Sequence, residues 1–364
     1  MTRTNRKLQI AAAACGMLTL SLNPGVASAQ TGNMLPPPPA SVSTVPPNGD
    51  VNPYGVAFVP TISLPGTGVL RTNDILVSNF NNALNLQGTG TTIVRVTSSG
   101  QVSQFFQGQA PGLTAALGVL YDGIVIVGSL PTVDGTSNTV KPGGLVVLDR
   151  SGNQLGFIQS SAINGPWGMA IADSNNGFAS IYISNVLAGT IVRLDVEYSF
   201  NGEALRVLAT TTVGQGFTHR TDPAALVLGP SGLYYDHVHD ILYVASSTDN
   251  AVYTLTGVHA AKAPVNSTLL FQDLTHLHGP LDITVAPNGH LLIANSDGSN
   301  VDANQPSELV EYTLAGQFVT QFSVDPNNGG AFGLNTFAIT PTAIRMAAVD
   351  DNQNSLNMWT VILN

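Results

Sequence analysis

Gly165-Pro166-Trp167-Gly168-Met169-Ala170, Ile181-Tyr182-Ile183-Ser184-Asn185 and Thr190-Ile191-Val192-Arg193-Leu194 follow one another within residues 165–194. Each is short, apolar and bounded by Gly, Pro, Asn or Ser, and the latter two are rich in β-branched residues. That combination reads as three successive strands joined by tight turns. The middle run recurs as Ile75-Leu76-Val77-Ser78-Asn79, Ile124-Val125-Ile126-Val127-Gly128, Ile241-Leu242-Tyr243-Val244-Ala245, Leu291-Leu292-Ile293-Ala294-Asn295 and Arg345-Met346-Ala347-Ala348-Val349-Asp350. The starts of the six runs lie 49, 57, 60, 50 and 54 positions apart.

The flanking elements recur with them. Asn52-Pro53-Tyr54-Gly55-Val56-Ala57 and Gly279-Pro280-Leu281-Asp282-Ile283 precede their runs as Gly165 to Ala170 precedes its own. Thr92 to Val96 and Glu308 to Tyr312 follow as third strands, and Val102 to Phe106 and Phe318 to Phe322 as fourth strands after glycine turns. Four strands in a unit of this length are the sequence form of a propeller blade. The expected fold is therefore all-β, a six-bladed β-propeller with four-stranded blades. The last unit, from Phe332, ends after its third strand, while the alternating stretch Ala40-Ser41-Val42-Ser43-Thr44-Val45 precedes the first. Pairing the two closes the ring and removes an exposed edge.

The Pro-x-Gly-apolar-Ala lead-in, the Ile181 to Asn185 strand and Thr190-Ile191-Val192-Arg193-Leu194-Asp195 resemble NHL-type repeats. They are also similar to the six-bladed propellers of the gluconolactonase and senescence-marker type, over nearly all of residues 52–363. The resemblance implies that loops leading into each inner strand, and loops following each second strand, share one face around a central channel. It implies little about activity, because lactonases, lyases and binders of carbohydrate or protein share the fold.

The N-terminus reads as a leader. Arg3, Arg6 and Lys7 precede an uncharged, mostly apolar stretch from Leu8 to Leu22, and Ala27-Ser28-Ala29 fits a small-residue cleavage site. The expected organisation is a signal peptide over 1–29, a proline-rich segment with the closing strand over 30–50, and one propeller over 51–364. Export to the periplasm or medium follows, with no transmembrane segment in the mature chain. The only cysteine, Cys15, lies in the leader, where lipidation is the alternative to cleavage near Ala29. The mature chain then has no thiol for a disulfide, a zinc site or a nucleophile. A formal charge of −10 opposes nucleic-acid binding, and only 9% of residues are charged, so Asn, Ser, Thr and Gly carry the surface.

On the implied channel face, His219, Asp222, His276 and His278 fall in lead-in loops, with Asn185, Asn295 and Asp297 at or beyond second strands. Imidazole and carboxylate converging at a channel mouth suit a divalent metal or acid–base work. Each also has a structural reading. A His-x-His in a loop is often solvated, and Asn at the repeated position of Asn79, Asn185 and Asn295 bonds local backbone well. Trp167 and Tyr54 suit either sugar stacking or packing between blades. No His-Glu-x-x-His, Gly-x-Ser-x-Gly or phosphate-binding Gly-x-x-x-x-Gly-Lys occurs.

Lactonases of the resembling type hold a metal through a first-blade Glu with later Asn and Asp residues. Asn185 and Asp249 match the latter two, while Asn52-Pro53-Tyr54 offers no Glu. The expected function is an exported propeller binding a small molecule or protein partner on its channel face, without catalysis. The alternative is a lactonase-like, metal-dependent hydrolase or lyase using a single divalent ion, Ca, Zn or Mn.

Overall fold

Strand patterning decides how the sheets meet. In a strand, successive side chains point to opposite faces, so a continuous apolar run must be covered on both sides. The structure, a computed structural model, describes residues 39–61, 68–296, 298–301, 304–340 and 342–362. The expected leader over 1–29, with Cys15, and Asp297 lie outside the described residues. No described helix is long and apolar enough to cross a membrane.

The strands form six antiparallel four-stranded sheets and one two-stranded ribbon. The first five sheets occupy residues 51–107, 113–158, 166–215, 230–272 and 280–323. In the sixth, Leu334–Thr340, Ala343–Asp350 and Ser355–Ile362 are completed by Ala40–Ser43. Ala40 pairs with Met358 and Ser43 with Ser355, so the closing strand comes from the N-terminal side as expected. The ribbon, Arg220–Asp222 with Leu226–Leu228, was not foreseen. It occupies the lead-in segment between the third and fourth sheets, within the longest of the repeat spacings.

Apolar seams join the sheets in sequence. Ile181 and Ile183 pack toward the second sheet's Ile124 and Ile126, whereas the intervening Tyr182 packs with Leu233 and Val244 of the fourth. Equivalent clusters join the first sheet to the second, the fourth to the fifth and the fifth to the sixth. A sixth links Ile75 and Val77 to Ala347, Val349 and Leu356, and the ring closes. A fully buried Ile or Val is worth about 1.5–3 kcal/mol, against at most about 1 kcal/mol for an exposed ion pair. The seams therefore hold the ring.

Nearer the axis, hydroxyls tie sheet to sheet. Ser78 Oγ donates to Thr114 O (2.8 Å), Thr114 Oγ1 to Pro166 O (2.9 Å), Ser184 Oγ to Ser231 O (2.6 Å) and Ser231 Oγ to Pro280 O (2.8 Å). The hydroxyl sits on the second strand in the first and third sheets and on the inner strand in the second and fourth. Its opposite number is small each time: Gly55 facing Ser78, Gly128 facing Thr114, Gly168 facing Ser184 and Ala245 facing Ser231. A Cβ on Gly168 would collide with the Ser231 carbonyl, and one on Gly128 with Thr114 Oγ1. This is the physical content of the repeated lead-in glycine. It coincides with a register shift in the inner strand, as between Pro166 and Met169.

Candidate functional site

The inner strands do not leave an open pore. Tyr54 stacks on Phe332 at 4.5 Å and lies 4.8 Å from Phe80, with Trp167 edge-on to both Tyr54 and Phe80 at 5.4 Å. Leu281 of the fifth sheet and Leu226 and Val227 of the ribbon complete this plug. Tyr54 and Trp167 thus pack across the channel, a third outcome beside sugar stacking and packing between neighbouring blades.

The plug separates two cavities. Beneath it, a channel cavity of about 400 Å³ is lined by Val56 to Phe58, Leu117 to Val119, Asp282 and Asn335. Burial pushes the Asp282 carboxyl up to about 7, although Oδ1 accepts from Ile283 N (2.9 Å) and Oδ2 from Leu334 N (3.0 Å). Above it, on the loop face, lies a mouth cavity of about 360 Å³ with Tyr54, Phe332, Leu281 and Val227 as its apolar floor. Its polar wall includes Asn52, Asn81, Ser247, Ser296, Asp351 and Asn352. Ala224 and Ala225, at the tip of the ribbon, also line it.

The wall is short of partners on its acceptor side. Asn52 and Asn81 are 5% and 2% exposed, yet Oδ1 of each has no hydrogen bond. Such an atom costs about 1–3 kcal/mol unless something meets it. The donors of three of the wall residues are engaged within the protein. Asn81 Nδ2 donates to Asn85 Oδ1 (2.7 Å), Ser247 Oγ to Gly229 O (3.2 Å) and Ser296 Oγ to Gly279 O (3.0 Å). Asp351 is held by its backbone, with N donating to Gly330 O and O accepting from Asn354 N, both 2.9 Å. Burial, then the neighbouring Asp350 charge, pushes its carboxyl up to about 7. Asp350, itself raised to about 6 chiefly by burial, sits just behind it.

Tyr54, weighed for sugar stacking, forms part of the floor, but none of His219, Asp222, His276, His278, Asn185 and Asn295 lines this cavity. Asn185 is fully committed: Nδ2 donates to Ala162 O (2.9 Å) and Thr190 Oγ1 (3.1 Å), and Oδ1 accepts from Asn164 N (3.0 Å). Asn295 repeats the clamp with His276 O (3.0 Å), Glu308 Oε2 (3.2 Å) and His278 N (2.6 Å). His276 bonds Asp273 Oδ2 through Nδ1 (2.8 Å) and stacks on Phe318 at 3.8 Å. His278 bonds Thr275 O through Nε2 (3.1 Å). His219 is exposed and bonds Phe217 O through Nδ1 (2.9 Å). Asp222 Oδ1 accepts from Ala224 N (2.9 Å) and Ala225 N (3.1 Å), so it shapes the ribbon tip above the mouth. Among the described residues, these groups do not converge on one point.

The divalent ion implied by the resemblance finds little purchase on the two matching residues. Asn185 is fully buried with both ends of its amide bonded within the protein, and Asp249 Oδ2 accepts from Ser246 Oγ (2.8 Å) and Tyr253 OH (3.2 Å). No group of three or more His, Cys, Asp or Glu side chains is placed to hold a metal among the described residues. The mouth instead offers oxygen donors: Asn52, Asn81 and Asp351. The repeated second strands were the guide to them. Asn81, Ser246, Asn295 and Asp350 close those strands, and Asn81 itself lines the cavity with Ser247, Ser296 and Asp351, each one residue beyond its strand.

No known family profile matches the chain, and no curated relative does. Solved structures do. A gluconolactonase from Xanthomonas campestris is similar over 90% of this chain and 95% of its own, at 12% identity and a TM-score of 0.52. A calcium-binding regucalcin from Agrobacterium tumefaciens matches 89% and 94% at 12% identity and 0.51. The β-propeller domain of Cps50 from Myceliophteria thermophila matches 89% and 100% at 13% identity and 0.51. A lactonase, a calcium-binding protein and a further propeller are thus alike in fold, and the likeness establishes a β-propeller.

Proposed function

We propose that the chain is an exported six-bladed propeller, with the ribbon as an insertion, that binds a small polar molecule in the loop-face mouth without transforming it. The carrying observation is the mouth itself, where an apolar aromatic floor is ringed by buried amide oxygens that nothing in the protein satisfies. Ligand sites are concave and largely apolar, with a few convergent polar groups, and this one is preformed. The imidazoles that acid–base chemistry would draw on are bonded to backbone or to Asp273 and do not point into the cavity.

A second reading, a lactonase-like hydrolase or lyase, is favoured by the donor set: Asn52, Asn81 and Asp351 offer oxygens, the ligand type that calcium takes. Asn185 and Asp249 are not part of that set.

Thermal-shift screening of the secreted chain against neutral sugars, sugar acids, amino acids and amines tests the binding reading. Ala225→Trp, which puts an indole into the mouth from the ribbon tip, is the blocked control. At least one compound class should raise the melting temperature of the parent and not of Ala225→Trp. No shift, or shifts that survive the block, would overturn the assignment. Turnover of a lactone that requires added calcium and is lost in Asp351→Asn would replace it with the second reading.

A further inference from the structure

The mouth discriminates by hydrogen-bond sense as well as by shape. Its two unpartnered buried atoms, Asn52 Oδ1 and Asn81 Oδ1, are both acceptors. Among the described residues its only lining carboxyl is Asp351, an acceptor when ionised, and no described Lys, Arg or His lines the cavity. The buried donors of Asn81, Ser247 and Ser296 are already used within the protein. Behind the wall, Asp350 and Asp325 are each 3% exposed and add negative potential. The floor is apolar.

Resting on the reading that the mouth binds a small molecule, the geometry points to a ligand bearing a primary ammonium group, seated among Asn52, Asn81 and Asp351 with its carbon skeleton on Tyr54 and Phe332. An ammonium group is compact and positive, has three donors and accepts nothing, which complements the Asp351 carboxylate and the unpartnered Asn52 and Asn81 oxygens. A carboxylate or phosphate ligand would meet Asp351 and Asp350 with no cation to offset them. A hydroxylated neutral ligand matches the acceptors but leaves the carboxylate uncompensated. Calcium takes about 6–8 oxygens, with several carboxylates in its tighter sites, and the described residues of the wall supply one carboxyl.

The test is calorimetric titration of the secreted chain with 2-phenylethylammonium chloride, with 2-phenylethanol as its neutral shape-match and calcium chloride as the metal probe. The ammonium should bind at least about tenfold more tightly than the alcohol, because charge-assisted hydrogen bonds are about twice as strong as neutral ones. Asp351→Asn keeps the shape, should cost about tenfold in ammonium affinity and should leave the alcohol unaffected. Its ligand-free melting temperature should hold or rise, since a buried carboxyl is replaced by a neutral amide. Affinity should fall as the pH drops from about 8 to about 6, because Asp351 takes up a proton there. Asp350, with Asp325 beside it, and Tyr54 are the titratable groups facing it, and Asp350, raised to about 6, adds to the trend with the same sign.

Equal affinity for ammonium and alcohol, or an Asp351→Asn protein that binds ammonium as the parent does, would overturn the inference. So would calcium that saturates the mouth and excludes the ammonium. If the alcohol binds and Ala225→Trp abolishes it, the mouth is a binding site and only the ammonium assignment fails. If neither these probes nor the screened library binds, both fail.

Discussion

Asn185 and Asn81 are both buried asparagines at or just beyond the end of a second strand, and their side chains meet opposite conditions. Asn185, like Asn295, makes three hydrogen bonds that fasten a lead-in loop to the strand beside it. Asn81 bonds only Asn85 and keeps an unmet oxygen in the wall of the mouth. Residue type and repeat position single out the first, which is architectural. The unmet valence singles out the second. A buried polar group whose bonds are complete is spent on the fold, and one left open beside a cavity calls for an explanation that a ligand can supply.

The largest expected effect breaks the clamp. Asn185→Ala leaves Asn164 N, Ala162 O and Thr190 Oγ1 without that partner, and chemical denaturation should register a loss of about 2–3 kcal/mol. Asn79→Ala removes only two bonds, to Thr44 O (3.1 Å) and Thr92 Oγ1 (3.2 Å), and should cost about 1–2 kcal/mol. If both substitutions prove neutral, these asparagines are not clamps and the comparison fails.

Asp282 sharpens the contrast, since both of its oxygens are bonded yet no cation offsets its charge. Its folded-state value of about 7 exceeds the unfolded value of about 3.9. Between those values the native state holds a proton that the unfolded chain has released, so stability falls as pH rises through the window. Asp350 and Asp351 contribute with the same sign. The melting temperature should therefore rise as pH drops from about 8 to about 5. Below about pH 4 the trend reverses, because the carboxyls of Asp236 and Asp273, held low by their hydrogen bonds despite burial, become protonated. Asp282→Asn should flatten the slope between about pH 5 and 8, whatever it does to the absolute melting temperature. An unchanged slope would assign the dependence to other groups.

The fold could be read from the sequence because its cause is local. Continuous apolar runs such as Ile181 to Asn185, glycine at fixed offsets and the spare stretch Ala40 to Val45 each follow from strand geometry. The ribbon could not be read, because Arg220 to Leu228 interrupts the repeat with short strands and its pairing depends on a turn shaped by Asp222. The site was displaced for a related reason. Histidines stand out in a sequence, but His276 is held by Asp273, three residues back in the same loop, and by Phe318, a contact that exists only once the fifth sheet has formed. Asn52 and Asp351 stand nearly 300 positions apart and share a wall only because the ring closes. The repeat pattern came within one or two residues of Asn81 and Asp351, and only three-dimensional closure shows which side chains turn inward.

The smallest effect tests whether an unmet valence can be explained by one atom. In the clamps, Asn185 bonds the carbonyl of Ala162 and the N–H two residues on, and Asn295 treats His276 and His278 alike. Asn79 bonds the carbonyl of Thr44, and two residues on stands Pro46, which has no N–H to give. Asn79 Oδ1 is accordingly unpartnered. Pro46→Ala supplies the missing donor, worth about 1 kcal/mol, and loses a comparable ~0.4–1 kcal/mol of chain stiffening, so alone it should be nearly neutral. In the Asn79→Ala background only the loss remains. A double-mutant cycle measured by denaturation should therefore return a coupling of about 1 kcal/mol between positions 46 and 79. Zero coupling would mean that the orphaned oxygen has another cause, and that the first sheet is not built on the same clamp as the third and fifth.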